Sequence, residues 1–198
     1  MKFTNKERKD LIYAGIMISL AFAILLSGGL TGLLRNKIGF FSVFLVAFFT
    51  AGIGFLLHEM AHKYVAVSYK LNAEFKAFYG MLWLAVGLSF FGFILAAPGA
   101  VFIHGAGLNR NKNGKISVVG PLTNIVLAIL FLIIGLFYSS GIISVIVNFG
   151  FTINALLAAF NMIPVMPFDG AKVFAWNKSV YTITMIVALG LFLLSMVL

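Results

Sequence analysis

Apolar residues run in long uninterrupted stretches, and polar residues gather in the short breaks between them. A helix crossing a hydrocarbon core about 30 Å thick needs about 20 such residues, because it rises about 1.5 Å per residue. Residues 11–34 meet that length without a charge, and so do residues 38–57, whose helical pattern continues through His58 to about Tyr69. Residues 121–138 and 142–163 form a pair joined by Ser139, Ser140 and Gly141, and residues 180–198 make a last span. A further run, residues 81–97, is short for a span, contains Gly87 and Gly92, and stops at Pro98 and Gly99. Beyond it, residues 100–104 and 115–119 flank the polar stretch Asn109-Arg110-Asn111-Lys112-Asn113-Gly114, a pattern that reads as a β-hairpin. The expected fold is an all-α polytopic membrane protein with five or six transmembrane helices. A small membrane-associated β-hairpin lies between the second and third spans, and one domain covers residues 1–198.

Positive charge arbitrates the doubtful run, since Lys and Arg collect on the cytoplasmic side. If residues 81–97 do not cross, one side holds only Arg35 and Lys37 of the fourteen basic residues, and the other holds the remaining twelve. If they do cross, the split becomes seven against seven. The uneven split predicts that residues 81–97 are re-entrant or packed at the membrane face. It also predicts that the amino terminus is cytoplasmic.

Composition agrees with this reading. The chain is 62% apolar and 10% charged, against roughly 25% charged residues in a soluble domain. Its net charge of +9 comes from breaks between spans, so topology explains it better than nucleic-acid binding. There is no cysteine, which excludes disulfides and thiolate metal sites. No secretory-signal pattern precedes the first run, which reads as a retained span. Trp83 and Trp176 read as ordinary packing or lipid-facing residues.

The chemistry is carried by few residues. The chain has five acids, and Glu59 lies within an apolar helix, where an ionisable group marks a functional site by default. It belongs to His58-Glu59-Met60-Ala61-His62, an H-E-x-x-H pattern. Histidines four apart share one helix face, so both imidazoles can meet one metal ion. Zinc suits nitrogen and carboxylate ligands and leaves a position open for water, while Glu59 is placed to move the proton. A third ligand is needed. Asp169 is the only acid after Glu74 and is the leading candidate, with His104 as the alternative. Pro164 and Pro167 break the helix before Asp169 and free backbone groups that an extended substrate can pair with. The strands over residues 100–119 are expected to offer such a segment an edge.

Taken together, these motifs resemble the site-2 protease family of intramembrane zinc metalloproteases. The resemblance rests on His58-Glu59-x-x-His62, on Gly120-Pro121-Leu122-Thr123-Asn124, and on Asn161-x-x-Pro164-x-x-Pro167-x-Asp169-Gly170, in that order. It implies that His58, His62 and Asp169 bind one Zn²⁺ per chain, that Glu59 is the catalytic acid/base, and that Asn161 contacts the substrate backbone. It also implies a transmembrane protein substrate within the lipid bilayer, and no nucleic acid. Relatives often have Gly where Ala61 and Ala171 stand, and the PDZ or CBS domain that some relatives carry is not evident. Asn124 reads equally as helix glue or as a pocket contact. Asn161 has a bland reading as an inter-helix bridge, and Lys172 and Lys178 read as topology charges. Two rivals remain. A CAAX-type protease needs a downstream Glu that this chain lacks. A non-catalytic metal transporter or scaffold would use the ligands but not Glu59.

Overall fold

The computed structural model describes residues 2–35, 39–94, 98–138 and 140–198. The expectations that fall on Lys37, Ile38, Ser139 and residues 95–97 lie outside them. Five helices are long and apolar enough to cross a membrane: Asn5–Leu26, Phe40–Ser68, Arg110–Gly135, Gly141–Asn161 and Lys178–Ser195. The run at 81–97 gives a helix, Tyr79–Ser89, of only 11 residues. At about 1.5 Å per residue it is near half the length a span requires.

By contact density the described residues form two compact units, one of residues 57–73 and 103–198 and the other of residues 2–56 and 74–102. In the second, α1 (Asn5–Leu26) is capped by Thr4, whose hydroxyl accepts from the Glu7 N–H at 3.1 Å. That cap starts the first span upstream of residue 11, and Gly28 (φ +86°) and Gly29 (φ +64°) end it before the short α2 (Gly29–Arg35). The next span is α3 (Phe40–Ala47), one π-helical turn (Phe48–Gly52) and α4 (Ile53–Ser68). A Cβ on Gly52 would lie 2.3 Å from Ser19 Oγ, so Gly52 serves close helix packing. Ser19 itself donates to the Gly15 carbonyl at 2.6 Å.

A small antiparallel sheet does lie between the second and third spans, as expected, but its strands are not the expected pair. Strand β1 (Asn72–Ala77) pairs with β2 (Gly99–His104) as a two-stranded antiparallel sheet, with α5 (Tyr79–Ser89) between them in sequence. Residues 115–119 are not a strand but part of α6 (Arg110–Gly135). Asn109 sets that helix in motion by accepting the Lys112 N–H at 2.9 Å. The β-branched Ile116, Val118 and Val119 then pack as helix residues, a case of burial overriding weak local propensity. On the side of β1 away from β2, the Phe75 N–H donates to Glu7 Oε1 at 2.9 Å and the Ala77 N–H to Asp10 Oδ2 at 3.2 Å. Tyr79 donates its hydroxyl proton to Asp10 Oδ1 at 2.5 Å, and that bond raises the phenol pKa.

The first-named unit contains the remainder of α4 with α6, α7 (Gly141–Asn161), α8 (Asp169–Trp176) and α9 (Lys178–Ser195). Gly150 on α7 lets the Phe131 ring of α6 come within 2.6 Å of where a Cβ would stand, beside Ala128, Phe151 and Ala155. At the ends of α8, a Cβ on Gly170 would lie 2.2 Å from the Met162 carbonyl oxygen, and Trp176 fills the hollow left by Gly114. Outward positions such as Val126, Ile183 and Ile186 are exposed and apolar, as lipid-facing surfaces require.

Removing the carboxylate that holds the rim of β1 should be costly. Asp10→Ala leaves the Ala77 N–H and the Tyr79 hydroxyl without their acceptor and should lower stability by roughly 2 kcal/mol. Glu74→Ala, at a surface contact with Thr4, should stay within about 0.5 kcal/mol. Unfolding midpoints in detergent compare the two directly, and equal losses would contradict this account.

Candidate metal centre

The i, i+4 spacing on α4 places His58 and His62 on one face, with ring centroids 4.7 Å apart. Asp169 opens α8, where the partial positive charge of a helix start favours a carboxylate. It follows the loop 162–168, in which the Met166–Pro167 peptide bond is cis. The three side chains converge. His62 Nε2 lies 3.0 Å from His58 Nε2 and 3.0 Å from Asp169 Oδ2, and His58 Nε2 lies 3.3 Å from the same oxygen. All three residues are buried, and among the described residues they are the one group of His, Cys, Asp or Glu close enough to share an ion.

Helix α6 explains how the rings are aimed. Residues 116, 120 and 124 are four apart and share a face. His62 Nδ1 lies 2.7 Å from the Ile116 carbonyl oxygen, and His58 Nδ1 lies 2.6 Å from Asn124 Oδ1. A carbonyl oxygen only accepts, so each Nδ1 carries the proton and each Nε2 presents a bare lone pair to the centre. Between these contacts stands Gly120, where a Cβ would lie 2.4 Å from His62 Nε2 and 2.6 Å from His58 Nε2. The glycine keeps the space before both lone pairs open.

Two lone pairs and a carboxylate oxygen at these distances repel unless something positive sits among them. The cluster takes up either a proton or a metal ion. Tetrahedral zinc, with bonds of about 2.0–2.1 Å, keeps its ligand atoms about 3.3 Å apart, so the observed spacing fits that ion. Burial pushes the Asp169 carboxyl up, but when a proton rather than an ion fills the cluster, the positive charge it brings at His62 and the hydrogen bonds then donated by His58 and His62 outweigh that cost. They hold it below the usual carboxylate range. The second oxygen of Asp169 lies 3.6 Å from Lys172 Nζ. Lys172, read from sequence as a topology charge, is thus also a neighbour of the centre.

The other candidates fall in different places. Glu59 is buried on α4 beside His58. Asn124 stands behind His58. Asn161 ends α7, with its Nδ2 donating to the Leu157 carbonyl at 3.0 Å, and Pro164 is exposed in the loop before Asp169. His104 ends β2, exposed and outside the cluster. Sequence reasoning passed over Asn154, which is wholly buried and bonded to Asn124 at 3.0 Å. A polar amide in an apolar helix was the available signal. The Ile116 contact left none, because any residue supplies a carbonyl.

These features define a helical protein with five potential membrane spans and a His-His-carboxylate group, in an H-E-x-x-H setting, that could hold a metal ion. Two proteins of Methanocaldococcus jannaschii are similar to it. "Putative zinc metalloprotease MJ0611" is 42% identical over 156 residues, which cover 78% of this chain and 82% of that protein. "Zinc metalloprotease MJ0392" is 25% identical over 142 residues, which cover 71% of this chain but 35% of that longer protein. The chain belongs to the zinc metalloprotease family represented by the first. No family model matches the chain, and no solved structure matches it.

Gly120→Ala puts a methyl group against both Nε2 atoms. Zinc affinity, measured by chelator competition, should fall at least about tenfold with helix content unchanged. Gly190→Ala, where a Cβ meets nothing within 4 Å, should bind zinc like the parent.

Proposed function

We propose that this protein is an intramembrane zinc endopeptidase of the site-2 protease type, hydrolysing peptide bonds within or near transmembrane segments of other membrane proteins. The observation that carries the reading is the convergence of His58, His62 and Asp169 Oδ2 within 3.3 Å of one another, on helices of a chain with five potential spans. One zinc ion per chain is expected. The uneven distribution of Lys and Arg supports a cytoplasmic amino terminus, with the centre near that side.

When bound, zinc lowers the pKa of water towards about 7 and polarises a carbonyl. His58, His62 and Asp169 would hold the ion, which would supply activated water at the bond to be cut. Glu59 takes the proton from the attacking water and returns it to the departing amine. Asn161 is assigned to the substrate backbone, and the loop at Pro164 to the unwound segment entering the site. Asn124 supports His58 from behind. Lys172 draws charge from the Asp169 oxygen that does not face the histidines.

The substrate segment must be extended at the bond to be cut, because a helical carbonyl is shielded. Since Glu7 and Asp10 occupy one rim of β1, the outer edge of β2 is the side on which an extended segment can add. Proline at Val101 or Ile103 should slow cleavage of a model transmembrane substrate while leaving zinc content unchanged. Unaltered cleavage would remove β2 from the mechanism.

Glu59→Gln separates the protease from a metal transporter or scaffold. It should retain zinc and lose cleavage by about 10²–10⁴-fold. A wild-type protein that holds zinc but cleaves no transmembrane substrate, with transport unaffected by Glu59→Gln, would overturn the protease reading.

A further inference from the structure

We infer that Asn154, which is not in the ligand cluster, is a positioning residue that fixes the amide of Asn124 and through it makes His58 present Nε2 to the ion. The inference rests on the metal-centre reading above. It starts at the backbone of α7. Asn154 Nδ2 lies 2.9 Å from the Gly150 carbonyl oxygen, and Asn154 Oδ1 lies 3.0 Å from Asn124 Nδ2. Asn124 Oδ1 then lies 2.6 Å from His58 Nδ1. Both asparagines are fully buried.

A carboxamide has one end that donates and one that accepts, so a chain of amides has a direction. The Gly150 carbonyl can only accept. Asn154 must therefore turn its NH₂ towards Gly150 and its oxygen towards Asn124. Asn124 must answer with its NH₂, which leaves its oxygen for His58. That oxygen requires a proton on Nδ1, and a neutral imidazole with the proton there has its lone pair on Nε2. A fixed backbone atom thus selects the histidine tautomer through two side chains. If the Asn124 amide turned over, its NH₂ would face Nδ1 and drive the imidazole proton to Nε2, the atom the ion needs.

His62 has no such dependence, since a backbone carbonyl, that of Ile116, fixes its tautomer directly. The two ligands are therefore controlled differently, and one serves as the internal reference for the other. Close approach of α6 and α7 makes the chain possible, because the missing side chain of Gly150 admits Phe131 one turn from Asn154. The rival account is that Asn154 merely ties α7 to α6.

The test compares the full-length zinc-loaded protein with Asn154→Leu in detergent. Asn154→Ala serves if the leucine variant does not fold. Zinc affinity by chelator competition should fall about tenfold, the lower end of the range for groups that orient metal ligands. The same substitution in an Asn124→Ala background should have no further effect. With only three histidines, selective ¹⁵N labelling resolves the ring N–H protons. The His58 Nδ1–H, downfield in the parent because of its short hydrogen bond, should move upfield and exchange faster, while that of His62 stays in place. Unchanged zinc affinity and an unchanged His58 proton would overturn the inference alone. So would a fall in zinc affinity that leaves the His58 proton where it is, or moves the His58 and His62 protons equally, which is what a mere helix tie predicts. A parent protein that binds no zinc would instead overturn the metal-centre reading beneath it.

Discussion

Two imidazole rings are held from behind by oxygens that cannot give up a proton, and much of the first unit is arranged to keep those oxygens in place. The Ile116 carbonyl and the Asn124 side chain, from residues two helical turns apart on α6, back His62 and His58, which lie one turn apart on α4, with Gly120 between. This requires α6 to begin early enough that residue 116 is already helical, which the Asn109 cap provides. It also requires α7 to lie close enough for Asn154 to reach Asn124, which Gly150 permits. Hydrogen bonds of this kind each contribute only about 1 kcal/mol net. Their larger effect is directional, because away from water there is no alternative partner for a misplaced donor.

The same scarcity of water explains the distribution of acids. Glu7, Asp10, Glu59 and Asp169 are all buried, yet they divide by role. Asp169 faces two histidines, and Glu59 adjoins one of them in sequence. Glu7 and Asp10 instead receive backbone N–H groups of β1, doing for one rim of that strand what a neighbouring strand would do. A buried carboxylate in an apolar chain therefore signals an obligation to be paired. Whether the partner belongs to chemistry or to architecture depends on contacts made far along the chain.

That distinction also governs what could be read beforehand. The spans and the facing histidines follow from local periodicity, so the five helices and the α4 pair were legible. Asp169 was legible by elimination, because so few acids are available. The sheet was not. β1 and β2 are joined across an intervening helix, and residues 115–119, rich in β-branched side chains, belong to a helix whose burial outweighs their propensity. The role of Glu7 was hidden for a related reason, since its partner is a backbone amide 68 positions away. Lys172 looked like an ordinary flanking charge until the turn of α8 carried it to Asp169.

Helix α8 is only 8 residues long, but it is pinned at both ends, by Gly170 against the Met162 carbonyl and by Trp176 in the hollow at Gly114. The place of the Asp169 carboxylate is therefore tied to a tryptophan at the far end of its own helix. Gly114, remote from every candidate ligand, thus belongs with the residues that set where that carboxylate stands.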